Sequence, residues 1–262
     1  VRDGGLNAGG RGYYATDIPD PEQPRALWEL CADASVCTGI NYEAEIGLSF
    51  GNPQFGTWKN AGGAERWVVF LTSGYNNIPG SDGLNVGSGK GYLFVVDVAT
   101  GEVLDRITTG SGSTTTPSGF AKITAITDNP ILDPLVTYVY GGDNLGQMWR
   151  FDFTSPGTIR MIKMGDAGTN QPITTRPDVA LCRVDRTGSD GSTTPDTQRV
   201  VAFGTGRLLD IGDISNTAVQ SAYVLSDTGV PVSAAQWRVS SSMVKQTLAK
   251  TSGAAGDLYT IS

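Results

Sequence analysis

Gly91-Tyr92-Leu93-Phe94-Val95-Val96-Asp97 runs directly into Val98-Ala99-Thr100-Gly101. A small residue opens the run, bulky residues fill it and an Asp closes it. Side chains of a strand alternate between its two faces, and a terminal Asp can accept backbone N–H groups across the turn that follows. The stretch therefore reads as a strand entering a tight turn. The same grammar recurs in Gly12-Tyr13-Tyr14-Ala15-Thr16-Asp17, in Gly146-Gln147-Met148-Trp149-Arg150-Phe151-Asp152 and in Ser221-Ala222-Tyr223-Val224-Leu225-Ser226-Asp227.

Upstream of the last three lies a second kind of run that ends in Gly: Trp67–Gly74, Tyr138–Gly142 and Arg199–Gly206. Each pairs with the Asp-closed run after it as a hairpin-like unit. Glycine there lets neighbouring backbones approach, as the narrow axis of a radial array of sheets demands. Repeated units of this kind predict an all-β fold, an irregular, loop-elaborated β-propeller carrying a partial set of blades. Long insertions are expected at 17–47, 76–91, 108–119 and Asp185–Gln198, as surfaces where binding resides. Val1–Gly10 reads as turn-like and Leu258–Ser262 as a β run without a closing partner, so residues 1–262 are expected to be an internal piece of one larger propeller domain. Met243–Lys250 fits a short helix or a strand equally well.

Composition narrows the chemistry. Of 262 residues, 35 are Gly and only 17% are charged, which favours turns and strands over long helices. A net charge of −7 with no basic stripe argues against a nucleic-acid partner. Histidine does not occur, which removes Ser-His-Asp and Cys-His catalysis and His-ligated zinc. No apolar run approaches the roughly 20 residues of a membrane helix, so no membrane span is expected. Cys31 and Cys37 are close enough in sequence to close a small loop, as in a secreted protein; three unrelated thiols are the alternative, and Cys182 is left over.

Several motifs invite a chemical reading. Gly83–Gly91 fails as a phosphate loop, because Leu84 and Gly91 stand where a P-loop needs Gly and Ser or Thr. Asp97–Glu102 resembles the Asp-x-x-Thr-Gly turn of quinoprotein propellers that bind pyrroloquinoline quinone, which makes such an oxidoreductase one alternative reading, a generic secreted β-propeller binding module being the other. Asp105 and Arg106 follow, however, and no adjacent cysteine pair occurs. Asp128, Asn129 and Asp133 could offer oxygen ligands to calcium, but Pro130, Ile131 and Leu132 fill the middle, and a solvated acidic turn is favoured. Asp210 and Asp213 suggest paired carboxylates, yet a capped turn or short helix suits Ser215 and Asn216 beside them. Trp28, Trp67, Trp149 and Trp237 are expected to pack between blades.

Taken in order, Gly9–Ala15 with Asp17 and Asp20-Pro21, Ser73–Asn77, Gly91–Asp97 with Thr100-Gly101, Tyr138–Asp143 with Gly146 and Trp149–Asp152, Gln171–Thr174 and Gly204–Arg207 resemble the PilY/PilC-type proteins of type IV pili. The resemblance runs through most of the chain. It implies the C-terminal propeller of an exported, outer-membrane-associated protein at the pilus tip, a non-enzymatic adhesin that supports pilus assembly against retraction. It implies docking on minor pilins, with host or abiotic surfaces contacted through regions outside this chain. The family also carries an Asp-rich calcium loop before the Tyr-x-Gly-Asp strand. Here Thr137 and Ile131 stand where two of its Asp residues are expected, so calcium stays a candidate cofactor on a degenerate loop. A Cys31–Cys37 disulfide fits periplasmic export, with Cys182 pairing outside the chain.

Overall fold

A computed structural model describes residues 1–33, 35–37, 41–81, 83, 85–231, 237, 243–253 and 256–261. Leu84 of the rejected phosphate loop and most of 232–242 lie outside the described residues. The first sheet holds β1 (Arg2–Gly5), β2 (Gly12–Asp17) and β3 (Arg25–Cys31) in that order. The second holds β4 (Gln54–Lys59), β5 (Glu65–Thr72), β6 (Tyr92–Asp97) and β7 (Val103–Thr108), and the third β8 (Ile123–Thr127), β9 (Val136–Gly142), β10 (Gln147–Ser155) and β11 (Thr158–Asp166). A three-stranded sheet follows with β12 (Asp178–Thr187), β13 (Thr193–Gly204) and β14 (Ala222–Ser226), then the hairpin of β15 (Leu248–Gly253) and β16 (Gly256–Ile261). Every pairing within these sheets is antiparallel between sequence neighbours.

Successive sheets are glued face to face, and the alternation of strand residues explains how. Val69 and Leu71 of β5, with Phe94 and Val96 of β6, pack on Tyr13, Ala15, Trp28 and Leu30 of the first sheet. Their neighbours Val68, Phe70, Leu93 and Val95 point the other way, onto Val139, Trp149 and Phe151 of the third sheet. Tyr140 and Met148 in turn meet Val201, Phe203, Tyr223 and Leu225 of the fourth, where Trp237 also packs. A stretch of strand buried on both faces has to be apolar at every position, which is why Val68–Leu71 of β5 and Leu93–Val96 of β6 read as unbroken hydrophobic runs. Each such side chain contributes about 1.5–3 kcal/mol by leaving water.

Polar stitching reinforces this stack. The segment entering each blade crosses the ends of the second strands: Leu48 bridges Tyr75, Gly74 donates to the Phe120 carbonyl at 2.8 Å, and Ile173 donates to the Asp143 carbonyl at 2.8 Å. At Gly142 a Cβ would lie 2.2 Å from the Ile173 side chain, so only glycine lets this crossing close. The opening motif turns as expected: Asp97 Oδ1 accepts from the Ala99 and Thr100 amides at 2.9 and 3.1 Å, and Gly101 sits at φ +75°. There the Trp28 indole lies where a Cβ would go, and its Nε1 donates to the Val98 carbonyl of that turn at 3.0 Å.

Some expectations need correction. Arg2–Gly5 is a strand, because Gly4 and Gly5 pair with β2 although they have no side chains to announce it. The expected insertion at 17–47 contains β3, which buries Trp28 and Leu30. Asp185–Gln198 is mostly hairpin: β12 and β13 continue their pairing to Thr187 and Thr193 around a turn closed by Gly188 and Ser192. The run at Leu258 does have a partner, β15, which also resolves Leu248–Lys250 as strand. Trp67 is exposed, because β5 outruns β6 at that end and no sheet covers it; Trp58 occupies the core there instead.

Candidate functional site

Three features concentrate the polar chemistry. The first lies between the third and fourth sheets. Arg150 of β10 and Asp227, just beyond β14, form a buried pair with Nη1 to Oδ1 at 2.6 Å. The Tyr140 hydroxyl donates to Asp227 Oδ2 at 2.5 Å, and the Gly229 amide donates to Oδ1 at 3.0 Å. Burial, with the Asp227 carboxylate beside it, pushes the Tyr140 phenol above its usual range. Arg199 of β13 lies over the Tyr138 ring at 4.3 Å, its Nη1 3.9 Å from Asp227 Oδ2. Asp227 was legible as a strand-closing Asp; its partnership with Arg150 was not, because the two are 77 residues apart.

The second feature is the Asp128–Asp133 turn. Asp128 Oδ1 accepts from the Thr137 hydroxyl at 3.2 Å and faces Arg199 Nη2 at 3.5 Å. The Asn129 carbonyl accepts from the Leu132 and Asp133 amides at 3.2 and 2.9 Å, and Asp133 Oδ1 accepts from the Leu135 amide at 2.9 Å. The turn is thus closed by its own amides, and its two carboxylates serve different donors. Among the described residues no group of three or more His, Cys, Asp or Glu is placed to hold a metal ion.

The third feature is the β13–β14 connection. Asp210 caps a 3-10 helix at Ile211–Ser215, and Asp213 completes the capping box. Arg207 grips Asp213 in two-pronged fashion, Nη2 to Oδ1 at 2.7 Å and Nε to Oδ2 at 3.1 Å, which holds the Asp213 carboxyl down at about 2. This fixed loop displays Leu208, Ile211, Ile214 and Val219, exposed by 73, 84, 73 and 68%. Asp210 and Asp213 therefore serve a cap rather than an acid–base pair.

Elsewhere polar groups brace the scaffold. Asp143 is fully buried and accepts from Ser118 Oγ, Trp149 Nε1 and the Leu145 and Gln147 amides, yet burial still pushes its carboxyl up to about 6. Arg106 of β7 lies over the Tyr92 ring at 4.7 Å and faces Glu43 and Glu45 of the β3–β4 connection at 3.5 and 3.6 Å. The structure records a Cys31–Cys37 disulfide with Cα atoms 5.9 Å apart, while Cys182 is free and exposed on β12. No helix among the described residues is long and apolar enough to cross a membrane.

Antiparallel sheets packed face to face, with entering segments stitched across their neighbours, define a β-propeller scaffold with an exposed apolar loop at its surface. The chain belongs to the family of the PilY1 β-propeller domain, whose family model matches residues 1–255. It is 30% identical over 149 residues to the type IV pilus biogenesis factor PilY1 of Pseudomonas aeruginosa PAO1, covering 57% of this chain and 11% of that protein. It is 24% identical over 266 residues to a PilY1 homolog of Xylella fastidiosa, covering 92% of this chain and 16% of the homolog. The crystal structure of the Pseudomonas aeruginosa PilY1 C-terminal domain matches with a TM-score of 0.66 at 22% identity, over 99% of this chain and 52% of that domain. The chain thus spans a small part of its full-length relatives.

Proposed function

We propose that this chain is the propeller scaffold of a type IV pilus biogenesis factor, a non-catalytic, tip-associated adhesin that docks on the minor pilins of the pilus tip and supports extension against retraction. Family membership supports the pilus setting. The observation that carries the docking is the set of exposed apolar residues Leu208, Ile211 and Ile214 on a loop that the Arg207–Asp213 pair and the capping box brace. Exposed apolar groups on a braced backbone cost little loop ordering on binding, which suits them to a protein interface. The setting is exported, at the cell surface with outer-membrane association, where an oxidising environment sustains a disulfide such as Cys31–Cys37. Surface attachment is assigned to regions of the full protein outside this chain.

Binding of this chain to soluble minor-pilin domains, read by biolayer interferometry, tests the reading. Leu208→Ser with Ile211→Ser is expected to weaken binding by about tenfold or more, the loss of two well-packed interface contacts. Unchanged binding by a folded double variant would dismiss the loop as the interface.

A further inference from the structure

The turn that the family resemblance offers to calcium does not fit that ion. A hard cation gathers about 6–8 oxygens at roughly 2.3–2.6 Å. Here Asp128 is engaged by Thr137 and Arg199, and Asp133 is turned to the Leu135 amide. Ile131 and Leu132 between them are exposed by 89 and 80% and carry no donor oxygen in their side chains. The carboxylates therefore do not converge, and positive charge already stands beside one of them.

We infer that Arg199 is the resident cation of this junction, a guanidinium that ties the 127–137 turn of one blade to the next blade in place of a divalent metal. It spans two carboxylates of different blades, Asp128 at 3.5 Å from Nη2 and Asp227 at 3.9 Å from Nη1. Tyr138, the first residue beyond Thr137, supplies the aromatic face beneath it, with the guanidinium carbon 4.3 Å from the ring centroid. Arginine suits this position because its charge is permanent, planar and weakly hydrated, so it can stack and reach two acceptors at once. The Asp128 arm faces solvent and is weak alone, whereas the Asp227 arm ends on a buried carboxylate that Arg150 and Tyr140 already orient. The junction is thereby independent of calcium.

Thermal melting of the full chain in EDTA and in millimolar calcium, for the wild type, Arg199→Gln, Arg199→Lys and Asp128→Asn, tests this. A calcium site filled a hundredfold above its dissociation constant would raise the melting temperature by about 5–10 °C. The wild type is expected to melt at the same temperature in both conditions. Arg199→Gln is expected to melt about 3–6 °C lower in both, with Arg199→Lys between them because it keeps the charge but not the reach. A calcium-dependent rise in the wild type that Asp128→Asn abolishes would overturn the inference. So would Arg199 variants that melt as the wild type does. Should Arg199→Gln fail to fold, Arg199→Lys carries the same comparison.

Discussion

Asp227 closes β14, accepts the Gly229 amide in the turn, and neutralises a guanidinium buried between two blades. Asp97 accepts amides of the residues that follow it and makes a more exposed pair with Arg66, while Asp152 accepts the Thr154 amide and stands 3.7 Å from the same Arg150, farther than Asp227 does. Removing Asp227 takes from the buried Arg150 its nearest carboxylate and leaves only Asp152 at 3.7 Å, so Asp227→Ala is expected to cost about 3 kcal/mol in a urea unfolding curve, whereas Asp17→Ala, which loses an exposed pair with Arg25, should cost under about 1 kcal/mol. Two other carboxylates predict opposite pH effects. Asp143 titrates at about 6 in the fold against 3.8 for the free side chain, so between these values the folded state holds the extra proton. Its contribution to stability therefore falls as pH rises from about 4 to 6 and stays low above that. Asp213, held at about 2, stabilises fully above about pH 4 and loses that contribution as pH falls towards 2. Comparing the pH slope of unfolding free energy between the wild type and Asp143→Asn, and again with Asp213→Asn, should show the two differences with opposite sign.

At the scale of elements, the strands with both faces buried were the most readable, since the middles of β5, β6 and β10 are bulky and buried at consecutive residues. Strands with little to bury escaped notice. Gly4 and Gly5 of β1 have no side chains, and the outer part of the β12–β13 hairpin is wet on both sides, so neither shows an apolar period. That exposure has a consequence: replacing Arg186–Thr194 by an Asn-Gly turn that joins Asp185 to Pro195, residues paired in the native register, is expected to shift the melting temperature by less than about 2 °C. The crossing segments behave oppositely. Gly142→Ala drives a methyl into Ile173 and is expected to cost about 1–3 kcal/mol, measured by the same unfolding curve.

For the whole molecule, the order of motifs from Gly9 to Arg207 carried the family, because turns and strand ends are local and can be read in sequence. The exposed apolar loop was harder to see. Leu208, Ile211 and Ile214 look like core residues until the Arg207–Asp213 grip and the 3-10 cap are seen to turn them outwards. The Arg150–Asp227–Tyr140 centre was equally hidden, since it joins residues from two blades that only the radial stacking brings together. The loop makes the most direct test a genetic one: Leu208→Asp with Ile211→Asp placed in the chromosomal copy of the full-length protein, with surface pili counted by electron microscopy and export of the variant checked by immunoblot. The docking account predicts that the variant is exported at the wild-type level while surface pili fall to the number seen in a deletion strain. Wild-type piliation with both acidic substitutions in place would contradict it.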